Sequence, residues 1–240
     1  MTTLFIADLH LQENRPDIAE LFFRFLREHA AEAKALYILG DLFEAWIGDD
    51  DDSDFNRSVI QALRRTHDKG VVLHFMPGNR DFLISKKFCK ETGCHLLPDE
   101  HLIQIGDQRM LLMHGDTLCT RDLKYLKFRK RSRGFLMQTL FLLRSLEKRR
   151  AMVQKGRERS REHTATTAME IMDVTQEEVE RVMRKHQVSE LIHGHTHRPA
   201  EHHFLLDNRK VRRTVLAPWH ERGFALVCRE NGERESIEIK

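Results

Sequence analysis

Short apolar runs alternate along the first half of the chain with patterns of helical period. Thr3 to Ala7 is apolar enough for a buried strand. Ile18, Leu21, Phe22, Phe25 and Leu26 recur at helical spacing, and Asn14 with Pro16 marks the helix start. Ala35 to Leu39 predicts a second strand, Phe55 to Arg65 a second helix, and Val71 to Met76 a third strand. Such alternation predicts βαβ units and a largely parallel sheet. His101 to Ile105 and Arg109 to Met113 flank Gly106-Asp107 and read as a hairpin. Further on, Val174 to His186 predicts a helix and Glu190 to Ile192 a short strand. Val211 to Ala217, Phe224 to Cys228 and Ser236 to Ile239 alternate as strands, with a turn at Asn231-Gly232.

Five of these apolar runs end in polar clusters: ADLH, GDLFE, GNRD, HGD and HGHTH. Any one alone reads as turn chemistry, because Gly, Asn and Asp favour turns. Together they fall where open α/β sheets bind ligands, at the carboxyl ends of strands. Their side chains are carboxylate and amide oxygens plus imidazoles, with no thiolate among them. That donor set suits Mn²⁺, Fe²⁺ or Zn²⁺ and argues against a cysteine-held structural zinc. The candidates exceed what one ion needs, which points to a two-metal clamp for phosphoryl chemistry. On an extended backbone Asp8 and His10, two positions apart, project from the same face of the first strand.

Composition narrows the setting. The chain has 240 residues, 40% of them hydrophobic and 32% charged, with a net charge of +3, as expected of one sizeable globular domain. Four cysteines without a regular framework predict reduced thiols, and with no signal peptide at Met1 to Ala7 the expected location is the cytoplasm. The small net charge hides an asymmetry: Arg121 to Arg161 holds fifteen Lys/Arg against three Asp/Glu, so the remainder is acidic. Within this basic segment Phe135, Leu136, Leu140, Leu142 and Leu143 form an apolar stretch too short to cross a bilayer. A basic amphipathic helix pair there fits a membrane interface, a nucleic-acid footprint or a packed hairpin with a solvated basic face. The acidic run Asp49 to Asp52 reads as a solvated loop and helix start.

DLH, GDLFE, GNRD, HGD and GHTHR, in this order, resemble the motifs of the calcineurin-like metallophosphoesterase superfamily. FIADLHL, LYILGDLFEAWIGDD, GNRDFL, MHGDTLC and LIHGHTHRPA resemble in particular its UDP-2,3-diacylglucosamine pyrophosphohydrolases, over Leu4 to about Trp219. The resemblance implies an α/β sandwich of two mixed sheets in α-β-β-α layers. It implies one domain over residues 1–240, with an inserted helical lid at residues 121–168 that takes up acyl chains. Asp8, His10 and His197 are then implied to hold one divalent metal and Asn79, His114 and His195 another, with Asp41 bridging and Mn²⁺ the expected ion. Asn79, Arg80, His114 and His195 are implied to be catalytic. Asn79, Arg80, Trp46, Asp122, Tyr125, Phe128, Ser160, Thr164, Thr167 and His195 match substrate-contact positions. His193, two residues before His195, falls on no ligand position and is expected to support the site structurally.

Two features depart from common patterns. Many superfamily members have histidine where this chain has Arg80, and arginine cannot protonate a leaving group. That favours a leaving group needing little protonation, such as the phosphate ester released from a pyrophosphate. Thr164 and Thr167 stand where the resembled enzymes commonly have asparagine and lysine, with Arg157 or Arg161 near enough in sequence to compensate. The implied substrate is a UDP-linked diacylated glucosamine lipid, met by a monomer attached peripherally to the cytoplasmic face of the bacterial inner membrane, with no nucleic-acid partner. A nuclease or other phosphodiesterase of the same superfamily, or a non-catalytic scaffold, are the rival readings.

Overall fold

The computed structural model describes residues 2–166 and 171–240. The first sheet holds β1 (Thr2–Ile6), β2 (Ala35–Ile38), β3 (Val72–Phe75), β4 (His95–Leu96), β10 (Gly223–Arg229) and β11 (Arg234–Ile239), in the order β11-β10-β1-β2-β3-β4. β1 to β4 run parallel, as the βαβ pattern predicts, while β10 and β11 add antiparallel strands at one edge. A second sheet has the order β5-β6-β7-β9-β8, from β5 (His101–Ile105), β6 (Gln108–Leu112), β7 (Glu190–His193), β8 (Ala200–Leu206) and β9 (Arg209–Val215). Both sheets are therefore mixed.

Three apolar layers hold the sheets and helices together. Period-two alternation sends Leu4 and Ile6 of β1 into a core with Phe22, Phe25 and Leu26 of α1 (Pro16–Glu28) and Val59 and Leu63 of α2 (Asp54–Asp68). The intervening Phe5 faces the other way and meets Met110, Leu112 and Ile192 of the second sheet. Leu111 and Leu191 in turn face Val179, Val182 and Met183 of α7 (Gln176–His186). Strands covered on both faces read as continuous apolar runs, which is why β1, β2 and β7 were visible in the sequence. α3 (Lys86–Thr92) and β8 escaped the pattern: α3 is short, and β8 is an edge strand exposed along most of its length.

The insertion forms three helices rather than the expected pair: α4 (Leu123–Ser132), α5 (Phe135–Leu142) and α6 (Leu146–Thr166). Its basic charge meets the acidic body directly. Arg129 and Arg133 pair with Asp99 and Asp116, Arg149 with Asp50, Arg150 with Asp51, and Arg157 with Glu44. Arg149 is 2% exposed and also donates to the Ile47 carbonyl. Asp50 and Asp51 of the acidic run thus seat the insertion as well as facing solvent, while Asp52 stays exposed and leads into the start of α2 as expected. Asp49 of the same run accepts from the Trp46 indole and from the backbone N–H groups of Ser85 and Phe88, at the start of α3.

Candidate metal centre

The polar clusters converge on one point between the two sheets. Two groups of side chains place ligand atoms within 4.8 Å of one another, Asp8 with His10 and His197, and Asp8 with Asp41 and His114. In the first, the Nε2 atoms of His10 and His197 face each other at 3.3 Å, and Asp8 Oδ1 lies 3.6 Å from the latter. In the second, His114 Nδ1 donates to the Leu39 carbonyl, which leaves Nε2 free to face inward, 3.0 Å from Asn79 Oδ1. The same amide oxygen is 2.9 Å from His195 Nδ1. Asp41 stands between the groups, with Oδ1 3.8 Å from His114 Nε2 and Oδ2 3.9 Å from His10 Nε2. All seven residues of the implied ligand set are thereby brought together.

Backbone geometry achieves the convergence. Asp8, His10, Asp41, His195 and His197 all have φ between +51° and +69°, and they are five of the eight non-glycine residues with positive φ among those described. Left-handed conformations cost energy for such residues and cluster at functional sites, where surrounding contacts enforce them. Asp8 and His10 are accordingly not neighbours on an extended strand. They lie on an irregular segment beyond β1, where Asp8 N–H donates to the Gly40 carbonyl and His10 N–H to that of Asp41. Glycines admit the carboxylates: a Cβ at Gly78 would lie 2.1 Å from Asp41 Oδ1, and one at Gly194 would lie 2.4 Å from Asp8 Oδ2.

The electrostatics favour a bound cation. Asp8 is fully buried and Asp41 nearly so, and Asp8 Oδ1 has no hydrogen-bond partner. Burial opposes ionisation of Asp8, but His197, His114 and His10 outweigh it and push its carboxyl down to about 2. Burial and the charge on His114 push His195 down to about 4. An ionised Asp8 and a neutral His195 are in the protonation states that metal coordination requires. Buried anions without a counter-ion are costly, so the donor set fits divalent metal.

Several supporting residues were not singled out in the sequence. Asp81 is buried and accepts from the N–H groups of Leu42 and Gly78 at 2.7 and 2.8 Å, joining the GDLFE and GNRD loops. Glu44 places Oε2 2.8 Å from His10 Nδ1 while its other oxygen accepts from Arg157 of α6. Arg157 is thus engaged with Glu44. Asp116 accepts from the Tyr125 hydroxyl and from Arg129 Nε, docking α4 against the HGD loop. The signals were present, since Glu44 and Asp116 stand inside quoted motifs, but spacing does not reveal which side chains meet, whether nine residues apart as for Asp116 and Tyr125 or 113 apart as for Glu44 and Arg157. His193 is fully buried between the Gly194 carbonyl and Arg213, outside both ligand groups, and burial with Arg213 pushes it down to about 3.

The remaining candidates spread over the insertion and its seat. The Tyr125 ring lies 6.1 Å from that of His195, and Asp122 caps α4 by accepting from Tyr125 N–H. Phe128 is exposed on α4 and Ser160 on α6. Trp46 is in the core rather than on an open surface, packed on Phe43 and Phe88. The side chains of Thr164 and Thr167 lie outside the described residues.

Residues 1–199 match the family described as calcineurin-like phosphoesterase. The chain belongs to that family. It is 52% identical over 238 residues, 98% of each chain, to a protein of Pseudomonas aeruginosa named UDP-2,3-diacylglucosamine hydrolase. A protein of Azotobacter vinelandii with the same name is 51% identical over 232 residues, covering 97% of this chain and 96% of its own. Among solved structures, a novel archaeal phosphodiesterase superposes with a TM-score of 0.51 at 12% identity over 99% of both chains, a likeness of fold.

Proposed function

We propose that this calcineurin-like phosphoesterase hydrolyses the pyrophosphate bond of UDP-2,3-diacylglucosamine, giving UMP and 2,3-diacylglucosamine 1-phosphate, in lipid A biosynthesis. The observation that carries the reading is a pair of converging ligand sets that share Asp8, with Asp41 facing both, and an apolar, basic three-helix insertion docked on them through Asp116 and Glu44. Two relatives that match it nearly end to end bear the corresponding name.

On this reading Asp8, His10 and His197 hold one divalent ion, Asn79, His114 and His195 the other, and Asp41 both. Mn²⁺ is the expected metal, because hard oxygens mixed with imidazoles suit it. Bound there, such a pair would supply an activated water and stabilise charge on the attacking and leaving oxygens. Water attacks the α-phosphorus, the bond from that phosphorus to the bridging oxygen breaks, and a proton is released to solvent. The bridging oxygen leaves with the sugar phosphate, whose second pKa of about 6 makes protonation unnecessary. Arg80 neutralises the charge that develops on the diphosphate. Its Nε is buried without a partner and its N–H donates to Asp41 Oδ1, which fixes the loop beside the cluster. Tyr125, Asp122, Phe128, Ser160, Trp46, Thr164 and Thr167 complete the substrate site in contact or support.

The insertion, residues 121–168, is the lid. Nine of the thirteen large hydrophobic residues exposed among those described lie in it, including Phe135 at 86% and Leu143 at 78%, beside exposed Lys124, Lys127 and Lys130. An apolar patch rimmed by lysines suits a lipid interface. No helix among the described residues is long and apolar enough to span a membrane. On this reading the chain acts as a monomer held peripherally at the cytoplasmic face of the inner membrane. Pairing of five lid arginines with body carboxylates disfavours the nuclease reading, since those cations are engaged within the molecule.

The deciding assay follows UMP release from UDP-2,3-diacylglucosamine in mixed micelles with Mn²⁺, beside a soluble bis-aryl phosphodiester. Turnover of the lipid, stopped by chelation and restored by added metal, is expected. Turnover of the soluble ester alone would leave the metal centre and remove the substrate assignment. Glu44 gives a second prediction: a carboxylate on a ligating imidazole fixes its tautomer and raises its basicity, so Glu44→Gln should weaken metal affinity by about 10–100-fold. Metal titration of the purified variant checks this, and an unchanged affinity would remove Glu44 from the site.

A further inference from the structure

A cleft of about 230 Å³ opens beside the metal centre, and no described residue of the three-helix insertion lines it. Its inner wall is His10, His197 and Arg80, its floor is Leu9, Ile18 and Trp219, and Gln12 and His220 stand at its rim. A substrate whose pyrophosphate lies at the cluster extends two arms. If the lid takes the acylated sugar, the nucleoside needs a second surface contiguous with the metal ligands, and this cleft is contiguous through His10 and His197.

We propose that the cleft is the nucleoside subsite, which takes the uracil and ribose of a uridine nucleotide and in which the Gln12 amide reads the base edge. The inference rests on the function proposed above and adds to it a location and a specificity residue. Three observations carry it. The floor is apolar, with Leu9, Ile18 and Trp219 all buried, as a base face requires. Gln12 is half-buried and offers a donor and an acceptor on one planar group, matching the adjacent carbonyl and N–H of uracil. Cytosine presents an amine and an unprotonated nitrogen on that edge, so the distinction from uracil depends on which way the amide is held.

The rim is also built to keep its shape. Arg15 reaches across from the segment before α1, donating to the His220 carbonyl at 2.7 Å while pairing with Asp17 at 2.7 Å. His220 lies edge-to-face on His197 with ring centroids 5.8 Å apart. Its imidazole is positioned between the metal ligand and solvent, where a ribose or base can rest against it. Arg80 closes the cleft on the phosphate side, with its buried Nε unpartnered.

The test measures equilibrium binding of UMP, CMP and ribose 5-phosphate to the Mn²⁺-loaded protein, with metal content assayed in each preparation. Wild type should bind UMP more tightly than either competitor, and Gln12→Ala should lose about tenfold in UMP affinity with metal content and ribose 5-phosphate binding unchanged. His220→Ala, an exposed change, should weaken UMP and CMP together. In the lipid assay Gln12→Ala should raise KM more than it lowers kcat. Equal binding of UMP and ribose 5-phosphate by wild type, or unaltered UMP affinity in Gln12→Ala, would overturn the subsite while wild-type release of UMP from the lipid leaves the function standing. Absence of that release in wild type would overturn both.

Discussion

Asp41→Asn is expected to lower kcat/KM for UMP release by roughly 10³-fold or more, because charge stabilisation at a two-metal site is worth several kcal/mol and each 1.4 kcal/mol is tenfold. Asp41 faces His10 with one oxygen and His114 with the other, at 3.9 and 3.8 Å. It also accepts from Arg80 N–H at 2.9 Å, so alanine would remove both a ligand and a loop anchor. Asparagine keeps an oxygen for that N–H and removes only the charge. The variant should therefore fold, with circular dichroism and melting close to wild type, and bind fewer than two equivalents of metal. Turnover within tenfold of wild type at full metal occupancy would show that Asp41 does not bridge the ions.

Replacing Phe135, Leu136 and Leu143 together by serine is expected to cost roughly 10²-fold in kcat/KM on the micellar lipid, mostly through KM. Full burial of such side chains is worth about 1.5–3 kcal/mol each, and partial burial against acyl chains less. The three are 86%, 68% and 78% exposed, so folding has little to lose from the change. The soluble bis-aryl phosphodiester should be hydrolysed as by wild type, and sedimentation with vesicles should fall. If the lipid and the soluble ester lose rate in parallel, the insertion supports the catalytic centre and does not hold lipid. The internal arginine pairs, Arg149 with Asp50 above all, remain intact in this variant and keep α6 seated.

The types of metal donor, their order and their place at strand ends were legible because each motif is local. A buried strand must be apolar, and the polar residues that follow it must stand at its end. ADLH, GDLFE, GNRD, HGD and HGHTH were found in this way, and the family resemblance implied which of their residues are ligands. The reason that Asp8 and His10 meet was not legible: same-face projection from a strand was expected, and left-handed backbone at both residues does the work instead, with φ of 57° and 51°. Positive φ at non-glycine residues leaves no compositional mark, since it is imposed by neighbours such as Gly40 and Leu42 from the next loop.

The acidic run shows the same limit from the other side. Asp49 to Asp52 carries charge that the sequence can count, yet solvation or pairing depends on what is brought opposite. Here Arg149 and Arg150 arrive from about a hundred residues away. The sequence by itself determined the donor chemistry, the alternation that builds two covered sheets, and the presence of a basic, apolar insertion. The tertiary structure alone decided that Glu44 serves His10, that Asp116 holds Tyr125, and that Gln12, Trp219 and His220 share one cleft. Except for Asp116 with Tyr125, nine residues apart, those are contacts between separate segments, and the energy of all of them depends on distance and burial, which exist only once the chain has folded.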